Sequence, residues 1–291
     1  MAAQRIAVIG SGAIGGVLAA AARAAGHEVV VCARTPFDRL VVETPDGTEE
    51  PDVTVVTDPA ELGPVDWALL TTKVQDTASA AGWLRAVDPA PVAVVQNGIE
   101  HRATLAPFEL RSPVLPALIY ISAERTSPGH VVRRSPTSMQ VPDGELGERF
   151  RELLRGPQVH ATDDFRTAAW RKLLTNVSAN PISALTMRRM SVFDVDGVRE
   201  LAREVLQEAV AVGRAEGAAL GDEEVDKTID VFVGLGPDSG TSMLYDRLAG
   251  LGTEHEHLTG ALVRAARRHG IPVPRNETLL VLLRALPENS G

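Results

Sequence analysis

Apolar positions gather near the start of the chain into a short run, Arg5 to Ile9 (RIAVI), which ends at Gly10. A short β-branched run bounded by glycine predicts a buried strand. Gly12 to Ala25 is alanine-rich and proline-free, a composition that favours helix, and Gly26 marks its stop. Glu28 to Ala33 (EVVVCA) is again apolar and β-branched, so the opening reads strand, helix, strand, a βαβ unit. Further runs at Trp67 to Thr72 and Pro91 to Gln96 predict strands, separated by a helix over Asp76 to Ala86. Repeated units of this kind predict a parallel sheet covered on both faces, with right-handed crossovers. Segments 113–124 and 129–141 carry β-branched residues and the turn signal SPGH, which predicts an antiparallel extension at the sheet edge.

Beyond Phe165 the texture changes. Helical spacing recurs over 165–180, 197–216, 222–234, 253–269 and 276–286, with Gly or Pro in the breaks. The length of 291 residues fits two domains, and the boundary is placed between residues 164 and 165. No internal repeat, low-complexity tract or long charge run interrupts either half.

Composition narrows the function classes. At 44% hydrophobic and 23% charged residues the chain has the ordinary globular mix. Its 29 Lys and Arg against 38 Asp and Glu give a net charge of −9, which argues against a nucleic-acid surface. Anionic small molecules stay open through local basic residues. Cys32 stands alone and forms no intramolecular disulfide, as suits a reducing compartment, and the cytoplasm is the expected location. The uncharged stretch Ile6 to Ala22 is interrupted by Gly10, Gly12, Gly15 and Gly16 and is short for a membrane span. No targeting segment and no membrane association are expected.

Gly10-Ser11-Gly12-Ala13-Ile14-Gly15 follows a predicted strand and opens a predicted helix, the setting that G-x-G-x-x-G needs to bind a dinucleotide. Gly10 allows the tight turn, Gly12 lets a pyrophosphate approach the backbone, and Gly15 lets helix and strand pack closely. The helix N-terminus then offers unpaired N–H groups to the anion. The fold class is therefore α/β: an N-terminal Rossmann-type doubly wound sheet, residues 1–164, and a C-terminal all-helical domain, residues 165–291. No carboxylate ends the second strand to take a ribose hydroxyl. Arg34 stands there instead, 19 residues after Gly15, where a guanidinium can hold a 2′-phosphate. NADP(H) is the expected cofactor, with Arg39 as an assistant or a solvated surface arginine.

In the second half, Lys172, Asn176 and Asn180 fall within an arc of about 80° on a helix. One face thus carries an ammonium and two carboxamides, while Leu173, Leu174 and Val177 point elsewhere as core. Hydride delivery to a ketone builds negative charge on oxygen, and a nearby acid or cation lowers that barrier.

Taken together, Gly10–Gly15, Arg34, Lys73 with Asp76-Thr77, Gln96-Asn97-Gly98, the Lys172/Asn176/Asn180-Pro181 helix, Ser242-Met243, Thr253-Glu254, Gly260 and the block Ile271 to Asn276 resemble ketopantoate reductase (2-dehydropantoate 2-reductase). The likeness runs nearly end to end. It implies NADPH-dependent reduction of a 2-oxo acid, foremost ketopantoate to pantoate in pantothenate and coenzyme A biosynthesis, in a site between the two domains. By the resemblance Lys172 is the general acid and Glu254 orients it together with the cofactor ribose. Asn97 lies beside the nicotinamide ribose and the substrate, and Lys73 near the cofactor. Asn176 and Asn180 bind substrate, and Ser242 receives its carboxylate. Two positions depart from the pattern: Met190 and Ser239 stand where the family usually has asparagine. A thioether donates no hydrogen bond, so the acid reduced could lack the primary alcohol of ketopantoate or bind it otherwise. A homodimer is allowed but not required.

Other features have plainer readings. Glu254-His255-Glu256-His257 looks like a metal cluster, but on a helix the two histidines face apart, and no metal is expected. Ser242 lacks the glycines of a nucleophile elbow. Arg188 and Arg189 read as a solvated turn, and Trp67, Trp83 and Trp170 as packing. Rival functions are a dehydrogenase of the 3-hydroxyacid or 6-phosphogluconate type, whose lysine usually precedes an asparagine by three residues rather than the four seen here, and a non-catalytic NADPH-binding sensor.

Overall fold

The computed structural model describes residues 2–287. The chain divides into two compact units, one of Met1–Asn97 with His101–Phe165, the other of Gly98–Glu100 with Arg166–Gly291.

The first unit opens with β1 (Arg5–Ile9), α1 (Ala13–Ala24) and β2 (Glu28–Cys32), followed by the hairpin β3 (Val41–Thr44) and β4 (Gly47–Glu49), then β5 (Thr54–Val56) and β6 (Trp67–Leu70). A 3-10 turn over Val74–Ala80 leads into α2 (Ala81–Val87), β7 (Val92–Val94), α3 (His101–Leu105) and β8 (Val114–Pro116). Six strands form one sheet in the order β5-β2-β1-β6-β7-β8, every pair parallel. The chain winds outward from β1 in one direction, then returns and winds the other way from β6. Ligands of doubly wound sheets bind outside the carboxyl ends of the strands at this switch.

Pleating sends alternate residues of each strand to opposite faces. Ile6, Val8, Val29, Val31 and Leu69 pack under Val17, Leu18, Ala21 and Ala22 of α1. Ala7, Ile9, Val30, Cys32 and Leu70 pack against Trp83 and Leu84 of α2. Both faces are covered, which is why these strands read as unbroken apolar runs.

The expected antiparallel extension takes a different form. β9 (Leu118–Tyr120), β12 (Ser138–Pro142) and β13 (Gln158–Thr162) make a separate three-stranded sheet, with α4 (Glu145–Arg151) between the last two. β10 (Ala123–Ser127) and β11 (His130–Arg133) form the hairpin that SPGH announces, and β11 pairs with β3 in a four-stranded sheet. Without β3 and β4, which the pattern of apolar residues leaves unmarked, only the main sheet offers that hairpin an edge.

The second unit contains α5 (Phe165–Thr186) from Arg166 onward, α6 (Val198–Ala215), α7 (Glu223–Gly234), α8 (Ser242–Leu248), α9 (Thr259–His269) and α10 (Pro274–Arg284). Its core joins Trp170, Leu173, Leu174 and Val177 of α5 to Leu206 and Ala209 of α6, Leu262 of α9 and Leu280 of α10. Two boundaries differ from expectation. α5 does not stop near Asn180 but runs through the buried Pro181 to Thr186; packing of Ala179, Ile182 and Ala184 outweighs the lost i−4 hydrogen bond. α9 begins at Thr259, and His255 to His257 form a turn rather than its first residues. Among the described residues no helix is long and apolar enough to cross a membrane.

Candidate active site

In the first unit the glycine turn lies at the carboxyl end of β1. Gly10 has φ +110°, and a Cβ there would stand 2.9 Å from the Thr72 amide nitrogen. Its N–H donates to the Cys32 carbonyl (3.1 Å), and its carbonyl accepts from Thr71 Oγ1 (2.9 Å). A Cβ on Gly15 would fall on the Gly10 carbonyl oxygen, whereas one on Gly12 would meet nothing within 4 Å. The turn is thus packed hard beneath Gly10 and Gly15 and open above Gly12. Gly12 caps α1 with no side-chain hydrogen bond, and no acidic residue lies in the first turn. Ser11, Ala13 and Ile14 are half-buried along the same turn. An uncapped helix N-terminus with a glycine cradle suits a pyrophosphate.

Lys73, half-buried, precedes the 3-10 turn at the end of β6. Gln96, buried at the end of β7, donates from Nε2 to the Thr72 carbonyl (2.9 Å), Thr72 Oγ1 (3.1 Å) and Thr77 Oγ1 (2.9 Å). Its backbone carbonyl lies 3.1 Å from His101 Nε2. These bonds tie together the ends of β6 and β7, from which the chain continues into Lys73 and Asn97. Arg34 is 79% exposed past the end of β2, with Asp76 Oδ2 at 4.0 Å. Arg39 pairs with Glu50 (3.6 Å) instead. Cys32 is buried, and burial pushes its thiol up to about 12.

In the second unit the single face predicted for Lys172, Asn176 and Asn180 is present on α5. Asn180 Nδ2 donates to Asn176 Oδ1 (3.3 Å), and Asn180 Oδ1 lies 3.5 Å from the Met243 amide. Asn176 Nδ2 is buried without a hydrogen-bond partner, an expense that a bound polar ligand would remove. Ser242 is the exposed first residue of α8, whose cap is Thr241: its Oγ1 accepts from Leu244 N (3.2 Å) and meets Ser183 Oγ at 2.6 Å. That link between α8 and α5 escapes the sequence reading, although a threonine ahead of a helical run is a recognisable cap. Lys172 is half-buried; burial lowers its ammonium to about 8, and the Glu254 carboxylate pulls it partly back up. Glu254 is itself buried. An amine tuned toward neutrality, next to a carboxylate, has the properties of a proton donor working near physiological pH.

The two departures from the family pattern touch each other. Met190 N donates to the Ser239 carbonyl (2.9 Å), and the Met190 side chain packs with Ala179, Ile182, Val192, Phe193 and Phe232 in a small apolar cluster. Methionine at 190 is therefore core. Arg189 is not simply solvated: it donates to the Asp238 carbonyl (2.7 Å) and stands 5.8 Å over the Tyr245 ring. Trp67, Trp83 and Trp170 are buried packing residues. Among the described residues no group of three or more His, Cys, Asp or Glu could hold a metal ion.

The profile described as "Ketopantoate reductase PanE/ApbA" matches residues 6–145, and its C-terminal counterpart matches residues 164–287. The chain belongs to the ketopantoate reductase family. A 2-dehydropantoate 2-reductase of Caulobacter vibrioides is 41% identical over 285 residues, covering 96% of this chain and 98% of that one. One from Mycobacterium tuberculosis is 38% identical over 297 residues, covering 99% and 100%. The crystal structure of a PanE/ApbA family ketopantoate reductase from Ralstonia eutropha superposes with a TM-score of 0.88 at 32% identity, covering 96% of this chain and 97% of that one. Membership in this family and the doubly wound fold imply a nicotinamide cofactor.

Proposed function

We propose that this chain reduces 2-dehydropantoate (ketopantoate) to pantoate with NADPH. The observation that carries the reading is Lys172, a half-buried ammonium lowered to about 8 beside Glu254, on the helix face that also presents the unpartnered Nδ2 of Asn176. When bound, the reduced nicotinamide supplies a hydride to the carbonyl carbon of the substrate. Lys172 gives its proton to the carbonyl oxygen as negative charge develops there, so no free alkoxide forms. Glu254 holds the ammonium in place and keeps it charged at neutral pH. Asn176 and Asn180 present their carboxamides to polar groups of the substrate, and Ser242 offers a hydroxyl to its carboxylate.

The residues that would hold the cofactor fit it. Gly10, Ser11, Gly12, Ala13, Ile14 and Gly15 leave the backbone open above Gly12. Arg34 has an exposed guanidinium for a 2′-phosphate, which favours NADP over NAD. Lys73 and Asn97, beside the bonded ends of β6 and β7, would meet the cofactor, with Glu254 on its ribose. The test is a panel of 2-oxo acids assayed by loss of NADPH absorbance. Ketopantoate should be consumed fastest and with NADPH preferred. NADPH binding without oxidation by any acid of the panel would leave a sensor in place of an enzyme.

A further inference from the structure

Glu254 is the partner of Lys172, yet it sits on a segment that regular structure does not hold. Residues 255–258 form a turn ahead of α9. The Glu254 carbonyl accepts from His257 N (3.0 Å) and Leu258 N (3.1 Å), while Leu258 caps α9 with no side-chain hydrogen bond. Backbone bonds, among them Gly260 N to the His255 carbonyl (2.9 Å), and the buried Leu258 anchor its C-terminal end, and a set of charged side chains adds a further restraint. Arg284 of α10 grips Glu256 with two parallel bonds, Nε to Oε1 (2.5 Å) and Nη2 to Oε2 (2.9 Å). Arg264 of α9 donates to the Glu256 carbonyl (3.1 Å) and to Glu100 Oε2 (2.6 Å). Two glycines make room for this arrangement. A Cβ on Gly260 would stand 2.9 Å from Glu256 Oε2, and one on Gly98, at φ +96°, would stand 2.9 Å from the His257 carbonyl oxygen.

We propose that Arg284 and Arg264, acting through Glu256, are positioning residues that hold the turn carrying Glu254 and so keep its carboxylate on Lys172. The proposal rests on the reading of Lys172 and Glu254 as the working pair. Single ion pairs as exposed as these contribute little to stability; a bidentate grip and a bridging arginine on one turn restrict where that turn can sit. The charged and titratable groups around the turn are His255 and His257 on the turn itself, Arg264 from α9, Arg284 from α10 and Glu100 from the 98–100 segment. His255 Nδ1 meets Thr253 Oγ1 at 2.8 Å and its Nε2 lies 3.7 Å from Glu256. Glu254 is the charged group that acts on Lys172.

The sign of the effect separates positioning from simple charge. Removing a nearby positive charge makes an ammonium easier to keep, so loss of either arginine by itself would raise the proton affinity of Lys172. Releasing Glu254 has the opposite effect. The experiment is the pH dependence of Lys172 acetylation in the full-length protein, read by peptide mass spectrometry, for the unaltered chain, Arg284→Ala, Arg264→Ala and Glu254→Gln. The unaltered chain should reach half-labelling at about 8. Both arginine variants should move that midpoint down, by on the order of half a pH unit, with far-UV circular dichroism unchanged. Arg284→Lys should restore part of the shift, and Arg284→Ala added to Glu254→Gln should shift nothing further. A midpoint that stays or rises in a folded arginine variant overturns the proposal, as does a further fall in the double variant. If Arg284→Ala does not fold, Arg264→Ala decides. Because labelling needs no turnover, a midpoint that falls in a chain without reductase activity supports the positioning and rejects only the catalytic reading.

Discussion

Lys172 on α5 and Glu254 ahead of α9 act on each other within the second unit: burial strips proton affinity from the amine, and the carboxylate returns part of it. The balance leaves Lys172 at about 8, so the ammonium needed to protonate a carbonyl oxygen dominates below that pH and is lost above it. The rate of ketone reduction should therefore be flat through neutrality and fall about tenfold per unit above the Lys172 value. Oxidation of the alcohol, which needs the free amine, should rise over the same range. Stopped-flow traces of nicotinamide absorbance against pH decide this; a reduction rate still flat at pH 10 would exclude Lys172 as the donor. Lys172→Ala should lower kcat by roughly a hundredfold or more and spare NADPH affinity.

Arg34 offers a separate test, because its guanidinium is exposed and its nearest carboxylate, Asp76, is 4.0 Å away. A pair this open contributes little and leaves the arginine available. A charge-assisted bond to a 2′-phosphate corresponds to roughly a tenfold to hundredfold preference. Arg34→Asp should narrow the NADPH over NADH ratio of kcat/KM by that order, with Tm unchanged. An unaltered ratio would mean that the phosphate is recognised elsewhere.

Parts of this molecule were legible because their signals are local. The β1–α1–β2 unit, the glycine turn and the Lys172/Asn176/Asn180 face each rest on spacing within one or two elements, and the fold places them as that spacing requires. What escaped depends on distant partners. β3 has too few apolar residues to announce itself, and beside its hairpin partner β4 it pairs with the distant β11. Pro181 reads as a stop and is instead carried by packing. Arg264 and Glu100 meet across 164 residues of sequence, and no periodicity marks such an ion pair. Glu254 was reached through family resemblance and not through its setting, since a buried carboxylate on a turn has no pattern of its own.

The glycine turn separates packing from binding at two neighbouring positions. A methyl on Gly15 would strike the Gly10 carbonyl and approach Thr71 Oγ1 to 2.7 Å, and the first of these is backbone that cannot swing aside. Gly15→Ala should cost roughly 3 kcal/mol of stability, seen as a lower denaturation midpoint. A methyl on Gly12 meets nothing, so Gly12→Ala should leave Tm in place and weaken NADPH by on the order of tenfold, by filling the space a pyrophosphate approaches. Calorimetric titration beside thermal melts distinguishes the two. Equal losses of Tm in both variants would make the turn a packing element only.

The block Ile271 to Asn276 contributes to the family likeness, yet its asparagine has a structural task. Asn276 is fully buried, and Glu208 of α6 gathers the free donors at the start of α10. Oε1 accepts from Arg275 N (2.9 Å), and Oε2 accepts from Asn276 N (3.0 Å) and Nδ2 (2.8 Å). Asn276 Nδ2 also donates to the Val205 carbonyl (3.1 Å), so one carboxylate caps the helix and fastens it to α6. Glu208→Ala leaves these donors short of their acceptor and should cost about 2 kcal/mol in urea unfolding, with kcat unchanged below the melting range. Glu208→Gln, which keeps an acceptor oxygen but not the charge, should lose less. A fall in kcat at unchanged stability would instead move Asn276 from the scaffold into the site.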